Sequence, residues 1–209
     1  MGASVLIFLG ILLGAITSSA HSATLTATQD SQQNVTVRYS GPVEQGDLDK
    51  LRRLVNQYGY VTTIKLSSPG GLSYEGIDLG AFIRRHNIET TVGPEDTCFS
   101  ACFDIFIGGV LRSVNPRGKL GSHMHALDHA EVFRALIQRY KPIKDTARII
   151  RHVLSDIEQL ASIITARRIR HMISMGVDYR SIDPLLETKF FAEYYFSQSE
   201  LRRYNITNF

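Results

Sequence analysis

The first third of the chain shows hydrophobic patterns typical of strands and helices in turn. The segment NVTVRYSG (34–41) alternates between apolar and polar residues as a half-buried strand does. The segment YVTTIKLSS (60–68) has the pattern of a more deeply buried strand. Between them, a helix is predicted to start at Asp47. Three apolar residues would share one face of this helix: Leu48, Leu51 and Val55.

A diglycine turn and a second helix follow. Pro69-Gly70-Gly71 ends the buried strand, and the segment SYEGIDLGAFIRRHN (73–87) has the spacing of an amphipathic helix with Leu79, Phe82 and Ile83 facing inward. The pattern then predicts a short strand near ETTVG (89–93), an apolar helix over about 99–108, and an extended segment over 111–124. Alternation of this kind is typical of an α/β fold with parallel strand pairing.

Beyond Asp128 the pattern changes to nearly continuous helix. One apolar stripe has the spacing of a single helical face: Ile150, Val153, Leu154, Ile157, Leu160, Ala161 and Ile164. Such a stripe is expected to pack against the sheet of the same chain or, less commonly, against a neighbouring subunit. The tail EYYFSQSELRRYNITNF (193–209) predicts a strand, a capped helical turn that begins at Ser197, and a final edge segment.

Length and charge limit the classes of function. A chain of 209 residues is long enough for one well-buried domain. The net charge of +3 comes from scattered Lys and Arg residues and not from a basic tail, so we expect no nucleic-acid partner.

The N-terminal 22 residues have the composition of a targeting segment. An apolar run from Val5 to Ile16 precedes the small polar residues TSSAHSA (17–23), as in a secretory signal peptide. The run is shorter than the roughly 20 residues of a full membrane span, and no Lys or Arg precedes Asp30. We therefore interpret residues 1–22 as a signal peptide or an N-terminal membrane anchor. Both interpretations place the protein outside the cytoplasm, in the periplasm or an equivalent compartment.

Three separate segments carry residues suited to acyl transfer. Ser100, in TCFSAC (97–102), lies near the start of a predicted helix, where the N–H of Ala101 and the helix N-terminus favour negative charge. The Gly70-Gly71 turn can present further backbone N–H groups, since glycine tolerates open conformations. His123 ends the extended segment and could act as a general base. Each feature alone is commonly a cap, a turn or a surface residue, and only their combination suggests a site.

Two other groups of residues have alternative interpretations. Cys98 and Cys102 could be buried packing residues, a disulfide or a redox-sensitive pair, and i,i+4 spacing on one regular helix would suit a disulfide poorly. The cluster HMHALDHA contains four zinc-type ligands: His123, His125, Asp128 and His129. The two-residue spacing of His123 and His125 suits a strand, whereas the four-residue spacing of His125 and His129 suits a helix, so the four residues would have to span a turn. Such histidine-rich turns are more often solvent-exposed. We therefore expect no metal and no cofactor.

Three sequence blocks together resemble a known superfamily. KLSSPGGLSYEGIDLGAFIRR (65–85), TCFSACFDIFIGG (97–109) and PRGKLGSHM (116–124) are similar to blocks of the Clp protease proteolytic subunit and crotonase superfamily. The resemblance covers residues 35–124 and is strongest to exported Clp-like serine proteases. It implies a spiral of ββα units over a single domain, residues 34–209, with a C-terminal helical arm at about 128–176. In this family the arm often mediates oligomer contacts, so the resemblance also implies a homo-oligomer.

The same resemblance assigns roles to individual residues. Ser100 matches the nucleophile and His123 the base, while Gly70, Gly71 and Ala101 match the backbone that binds the oxyanion. The family's third triad member is an aspartate before the last helix, and here the matching segment EYYFSQSEL (193–201) offers Glu193. A glutamate is longer by one methylene group. The two alternative carboxylates are Asp178 and Asp183.

The resemblance implies a serine-type endopeptidase that acts on peptide or protein substrates. No Walker-type phosphate-binding loop occurs in the sequence, so any ATP-driven unfolding of substrates would need a separate protein. Outside the cytoplasm we expect the protein to act without ATP. One alternative is a catalytically inactive Clp-like scaffold or oligomeric binding protein, with the apolar stripe at 150–164 as its contact surface. A second alternative is a crotonase-type acyl-CoA enzyme, which would need an adenine pocket and no serine nucleophile.

Overall fold

The computed structural model describes residues 22–123, 129–189 and 191–209, and the predicted targeting segment therefore lies almost entirely outside the described residues. The described strands are β1 Thr24–Gln29, β2 Val35–Ser40, β3 Thr63–Ser67, β4 Glu89–Val92, β5 Thr97–Phe99, β6 Arg112–Val114, β7 Lys119–Ser122 and β8 Tyr194–Tyr195. The described helices are α1 Asp47–Tyr58, α2 Ser73–Arg85, α3 Ala101–Phe106, α4 His129–Tyr140, α5 Thr146–Ser174, α6 Ile182–Glu187 and α7 Gln198–Arg203, with a 3₁₀ turn at Tyr179–Ser181.

Five strands form the main sheet in the order β1-β2-β3-β4-β6. The pairs β2–β3, β3–β4 and β4–β6 are parallel, which confirms the predicted α/β class with parallel pairing. Strand β1 runs antiparallel to β2. Sequence analysis missed β1, because this edge strand buries little of either face and therefore carries no clear hydrophobic alternation.

A second sheet of three strands, β5-β7-β8, carries the segments of interest. Strand β7 is parallel to β5 and antiparallel to β8. The second sheet joins the first where Ser68, just beyond β3, forms a parallel bridge with Cys98. The ends of β3, β5 and β7 are thereby held side by side.

Helices α1 and α2 follow the predicted pattern. Leu51 and Val55 of α1, and Leu79, Phe82 and Ile83 of α2, are buried in one core with the inward residues of the sheet. Glycines in α2 allow α3 to approach closely: a Cβ atom on Gly76 would lie 2.5 Å from the carbonyl oxygen of Ala101, and one on Gly80 would overlap the carbonyl oxygen of Asp104. Helix α3 is therefore held directly against α2.

The long helix α5 departs from the prediction made for its apolar stripe. Val153 is buried, but Ile150 is 53% exposed and Leu154 is 55% exposed. The expectation that this stripe packs against the sheet of its own chain is wrong for these residues. It is the C-terminal end of α5 that reaches the core, where Arg168, His171 and Met172 are buried. No helix of the described ranges 22–123, 129–189 and 191–209 has the length and hydropathy of a membrane span.

The segment 193–209 contains the predicted strand and helical turn, but its final residues, 204–209, form no edge strand. Strand β8 is followed by α7, whose start at Ser197 forms a capping box with Glu200. The Ser197 side chain accepts from the N–H of Glu200, and the Glu200 carboxylate accepts from the N–H of Ser197. The predicted capped turn at Ser197 is therefore confirmed.

Candidate active site

Ser100 occupies a strained turn between β5 and α3. Its backbone has φ 56° and ψ −121°, in a region that residues with a Cβ atom rarely adopt. Strain of this kind is commonly found at functional sites. The N–H of Ser100 donates to the carbonyl oxygen of Gly121, 3.1 Å away, which ties the turn to β7. The helix begins at Ala101 and not near Phe99 as expected, and the Ser100 side chain does not cap it.

A disulfide brackets this turn. Cys98 in β5 and Cys102 in α3 are bonded to each other, and both are fully buried. The objection to a disulfide rested on both cysteines lying on one helix. It does not apply, because Cys98 belongs to the strand before the turn. The bond therefore closes a small loop around Ser100.

His123 lies directly beyond the end of β7, with its ring facing Ser100. The Nε2 atom is 2.8 Å from the Oγ atom of Ser100, although the two residues are 23 positions apart. The ring is 6% exposed and stacks on Phe99 at a centroid distance of 5.0 Å. A neutral imidazole in this position can accept the serine proton. The alternative interpretation of Ser100 as a helix cap is therefore not supported.

The Gly70-Gly71 turn lies against the same residues. A Cβ atom on Gly70 would lie 3.0 Å from the backbone nitrogen of Ala101. The N–H of Gly70 donates to the hydroxyl of Ser68, 3.1 Å away, so it is already engaged. The N–H of Val43 donates to the carbonyl oxygen of Gly70, and the carbonyl oxygen of Val43 accepts from the N–H of Leu72. In a parallel pairing of this kind, the N–H of Gly71 points away from Val43. Gly71, and Ala101 at the first position of α3, are thus the better-placed donors for an anion.

A buried arginine, which sequence analysis missed, joins the two halves of this site. Arg168 of α5 donates to Oδ1 of Asp104 at 2.9 Å, to Oγ of Ser122 at 2.5 Å and to the carbonyl oxygen of His123 at 2.9 Å. The sequence segment ARRIRH looked like scattered surface charge. The helical spacing nonetheless indicates that Arg168 faces inward. Arg168 lies four residues after Ile164 and four before Met172, so the three side chains share one face of the helix.

Glu193 lies beside the site in an exposed position. In the β7–β8 pair, Gly121 faces Tyr195 and Ser122 faces Tyr194, and His123 and Glu193 are the next residues beyond this last pair. Burial and then a hydrogen bond with Glu193 raise the pKa of the Tyr195 hydroxyl. The carboxylate also lines a cavity of about 340 Å³. The other lining residues are Ser67, Ser68, Pro69, Thr97, Phe99 and Tyr195.

Of the two alternative carboxylates, Asp178 is engaged by Arg180. Asp178 accepts from the backbone and the guanidinium of Arg180, and these bonds lower its pKa to about 2. Asp183 lies in the first turn of α6. Both belong to the segment between α5 and β8, and Asp178 is anchored there by the bond from its N–H to Tyr204.

The histidine cluster lies only partly within the described residues. His125 and Asp128 are outside them, and His129 is the first residue of α4. Within ranges 22–123, 129–189 and 191–209, no group of three or more His, Cys, Asp or Glu residues could hold a metal ion.

Comparison with known proteins supports the fold. No protein-family model matches the chain, and no curated protein matches it. Among solved structures, an asparagine-to-aspartate mutant of ClpP1 from Listeria monocytogenes is similar, with a TM-score of 0.55 and 16% sequence identity. The match covers 83% of this chain and 88% of that chain. The protein thus has a mixed α/β fold that is similar to the fold of ClpP1.

Proposed function

We propose that this protein is a serine-type hydrolase that cleaves peptides. The observation that carries the proposal is the 2.8 Å contact between Ser100 Oγ and His123 Nε2, which tertiary folding creates from positions 23 residues apart. A hydroxyl at this distance from a neutral imidazole can be activated as a nucleophile. The ClpP-type fold favours a peptide carbonyl as the electrophile.

In the proposed mechanism, Nε2 of His123 takes the Ser100 proton while Oγ attacks the scissile carbonyl carbon. The N–H groups of Gly71 and Ala101 donate to the oxyanion that forms. One such donor contributes about 3 kcal/mol to stabilisation of the transition state. His123 then gives its proton to the leaving amine. A water molecule, deprotonated by the same ring, releases the acyl group and restores Ser100.

We assign Glu193 as the carboxylate that orients the His123 ring. The β7–β8 pairing supports this role, because His123 directly follows Ser122 and Glu193 directly precedes Tyr194 at the last pair of the two strands. Glu193→Gln retains the size of the side chain but loses its charge. In the triad mechanism it should lower kcat by at least about tenfold, since the charged carboxylate stabilises the imidazolium. Glu187→Gln, on the exposed end of α6, is the matched control.

The proposed site of action is extracytoplasmic. The Cys98–Cys102 disulfide supports this location, because such bonds persist mainly in oxidising compartments. The apolar N-terminal segment supports it as well, either as a cleaved signal or as a membrane tether. The proposed peptidase acts without ATP, because the proposed location is outside the cytoplasm and any ATP-driven unfolding would need a separate protein.

We also propose a homo-oligomer, formed through α4 and α5. Several large apolar side chains on these helices are exposed: Phe133, Ile150, Leu154, Ile163 and Ile173. Exposed apolar patches of this kind commonly mark contact surfaces. Light scattering of the purified protein should give a mass above the 23.4 kDa of one chain. The double variant Ile150→Glu/Leu154→Glu should reduce that mass towards the monomer value.

A fluorophosphonate probe tests the hydrolase proposal directly. The wild-type protein should be labelled at Ser100, and Ser100→Ala should abolish labelling. Ser162→Ala, which removes an exposed hydroxyl of α5, is the control and should leave labelling unchanged. Folded wild-type protein that resists the probe would contradict the proposal and favour the non-enzymatic scaffold.

A further inference from the structure

Arg168 contacts both segments of the proposed catalytic pair. Its guanidinium binds Asp104 in α3, the helix that begins directly after Ser100, and it also binds the end of β7 at Ser122 and His123. We propose that Arg168 is a positioning residue, which sets the distance between Ser100 and His123. This inference rests on the proposed hydrolase function.

The contact with α3 is a buried ion pair. Asp104 is fully buried and Arg168 is 5% exposed, so neither charge is solvated by bulk water. Oδ1 of Asp104 accepts from Nε of Arg168, while Oδ2 has no hydrogen-bond partner within the described ranges. Loss of one member of such a pair leaves an uncompensated buried charge. Arg168 therefore holds α3, and the turn at Ser100, in a fixed position.

The contact with β7 acts on the backbone of the proposed base. Nη1 of Arg168 donates to the main-chain oxygen of His123, and Nη2 donates to the hydroxyl of Ser122. These bonds fix the peptide from which the imidazole projects. A displacement of about 1 Å at a reacting group can cost on the order of 100-fold in rate. A bond to the His123 backbone is therefore sufficient to control reactivity at Ser100.

Only an arginine can make this set of contacts. The planar guanidinium presents its N–H donors in a rigid fork, so one side chain reaches Asp104, Ser122 and His123 together. The plane is further held by the ring of Phe103, whose centroid lies 5.9 Å from Cζ of Arg168. A lysine retains the charge but offers one compact ammonium group. Arg168→Lys therefore keeps the positive charge but loses the three simultaneous hydrogen bonds.

The experiment compares three variants of the full chain. Arg168→Lys removes the fork, and Ser122→Ala removes one of its acceptors while the Asp104 ion pair remains. Arg112→Lys is the matched control, because Arg112 is equally buried but bonds to backbone carbonyls of the C-terminal segment and the end of α3. For each variant we would measure the melting temperature, the rate of fluorophosphonate labelling, and kcat and KM for a small activated ester.

If Arg168 positions the pair, Arg168→Lys should lower kcat and the labelling rate by about 100-fold, with KM changed by less than about threefold. Ser122→Ala should lower kcat by about tenfold in the same manner. Arg112→Lys should lower the melting temperature but, well below that temperature, leave kcat unchanged. This split between kcat and KM distinguishes positioning from simple support of the fold.

Two results would overturn the inference. If folded Arg168→Lys and Ser122→Ala are labelled at the wild-type rate, Arg168 is a structural residue and the hydrolase proposal stands without it. If Arg168→Lys does not fold, the labelling rate of Ser122→Ala alone distinguishes a positioning role of Arg168 from a structural role. If folded wild-type protein is not labelled, the hydrolase proposal fails, and the positioning role fails with it.

Discussion

Gly70 packs directly against Ser100, so that a Cβ atom on Gly70 would lie 2.5 Å from the Cβ atom of Ser100. Gly70 also has φ +98°, which residues other than glycine rarely adopt. Gly70→Ala should therefore displace the turn that presents the N–H of Gly71. We expect kcat to fall by at least about 100-fold, as for the loss of an oxyanion donor. Ester hydrolysis and fluorophosphonate labelling would measure the effect.

Gly59→Ala is the matched control for this substitution. Gly59 also has a positive φ, +78°, but a Cβ atom there would meet nothing within 4 Å. The variant should lose about 1 kcal/mol of stability from backbone strain and retain full activity. Equal loss of activity in both variants would contradict a specific role for the Gly70 turn.

The Cys98–Cys102 disulfide should support the strained conformation of Ser100. Backbone strain of this kind costs about 1 to 3 kcal/mol, and the bond closes a loop of very few residues around it. Reduction with dithiothreitol should lower the free energy of unfolding by about 2 kcal/mol. It should also slow labelling of Ser100, because the turn can relax. Urea unfolding and labelling rates, with and without reductant, would measure both effects.

The double variant Cys98→Ala/Cys102→Ala is the control for the reductant. It should resemble the reduced wild-type protein, and dithiothreitol should not change it further. If reduced and oxidised wild-type protein are labelled equally fast, the bond does not maintain the turn.

Sequence patterns predict the elements around the site well but not the contacts between them. Helix α2, from Ser73 to Arg85, shows a regular apolar face, and the pattern identifies it with nearly correct bounds. Strand β1 is largely solvated and gives no such signal. The turn at Ser100 was predicted as part of a helix, because periodicity does not reveal a positive φ.

The long-range geometry of the site depends on tertiary packing. The combination of segments and the family resemblance suggest that Ser100 and His123 meet, and the parallel pairing of β5 with β7 brings the two residues to a distance of 2.8 Å. Arg168 was interpreted as surface charge, since buried arginines are uncommon and composition alone does not identify them. Its burial follows from the packing of the C-terminal part of α5 against α2 and α3, which Gly80 permits, since a Cβ atom there would lie 2.9 Å from Nε2 of His171.

His171 should make stability depend on pH. Its Nε2 donates to the carbonyl oxygen of Asp104, and burial lowers its pKa below the ordinary value of 6.5. The unfolded chain therefore binds a proton near pH 6.5, where the folded chain does not. Stability is fully present above this pH and declines as the pH falls below it. We expect a loss on the order of 1 kcal/mol between pH 7.5 and pH 5.5.

His171→Gln provides the comparison for this pH dependence. Glutamine can donate a similar hydrogen bond but does not titrate in this range. The variant should be less stable than wild type at pH 7.5, with a flatter dependence on pH. Urea unfolding at several pH values would test this, and parallel curves for the two proteins would exclude His171 as the titrating group.

Arg112 should be among the strongest determinants of stability. Its guanidinium is buried and donates to backbone carbonyls of Asn205, Ile206 and Met175. Burial, followed by repulsion from Arg84, lowers its pKa to about 10, so the side chain remains charged at neutral pH. Arg112→Lys cannot satisfy these separate acceptors with one ammonium group. We expect the free energy of unfolding to fall by about 3 kcal/mol.

An exposed arginine gives the contrast that this prediction needs. Arg52 in α1 pairs with Asp49 at the surface, with half of its side chain exposed. Arg52→Lys should change the free energy of unfolding by less than about 0.5 kcal/mol, because surface ion pairs contribute little. Urea unfolding of both variants measures the difference. If Arg112→Lys is as stable as Arg52→Lys, the carbonyl contacts of Arg112 do not stabilise the fold, since a lysine would then replace them without cost.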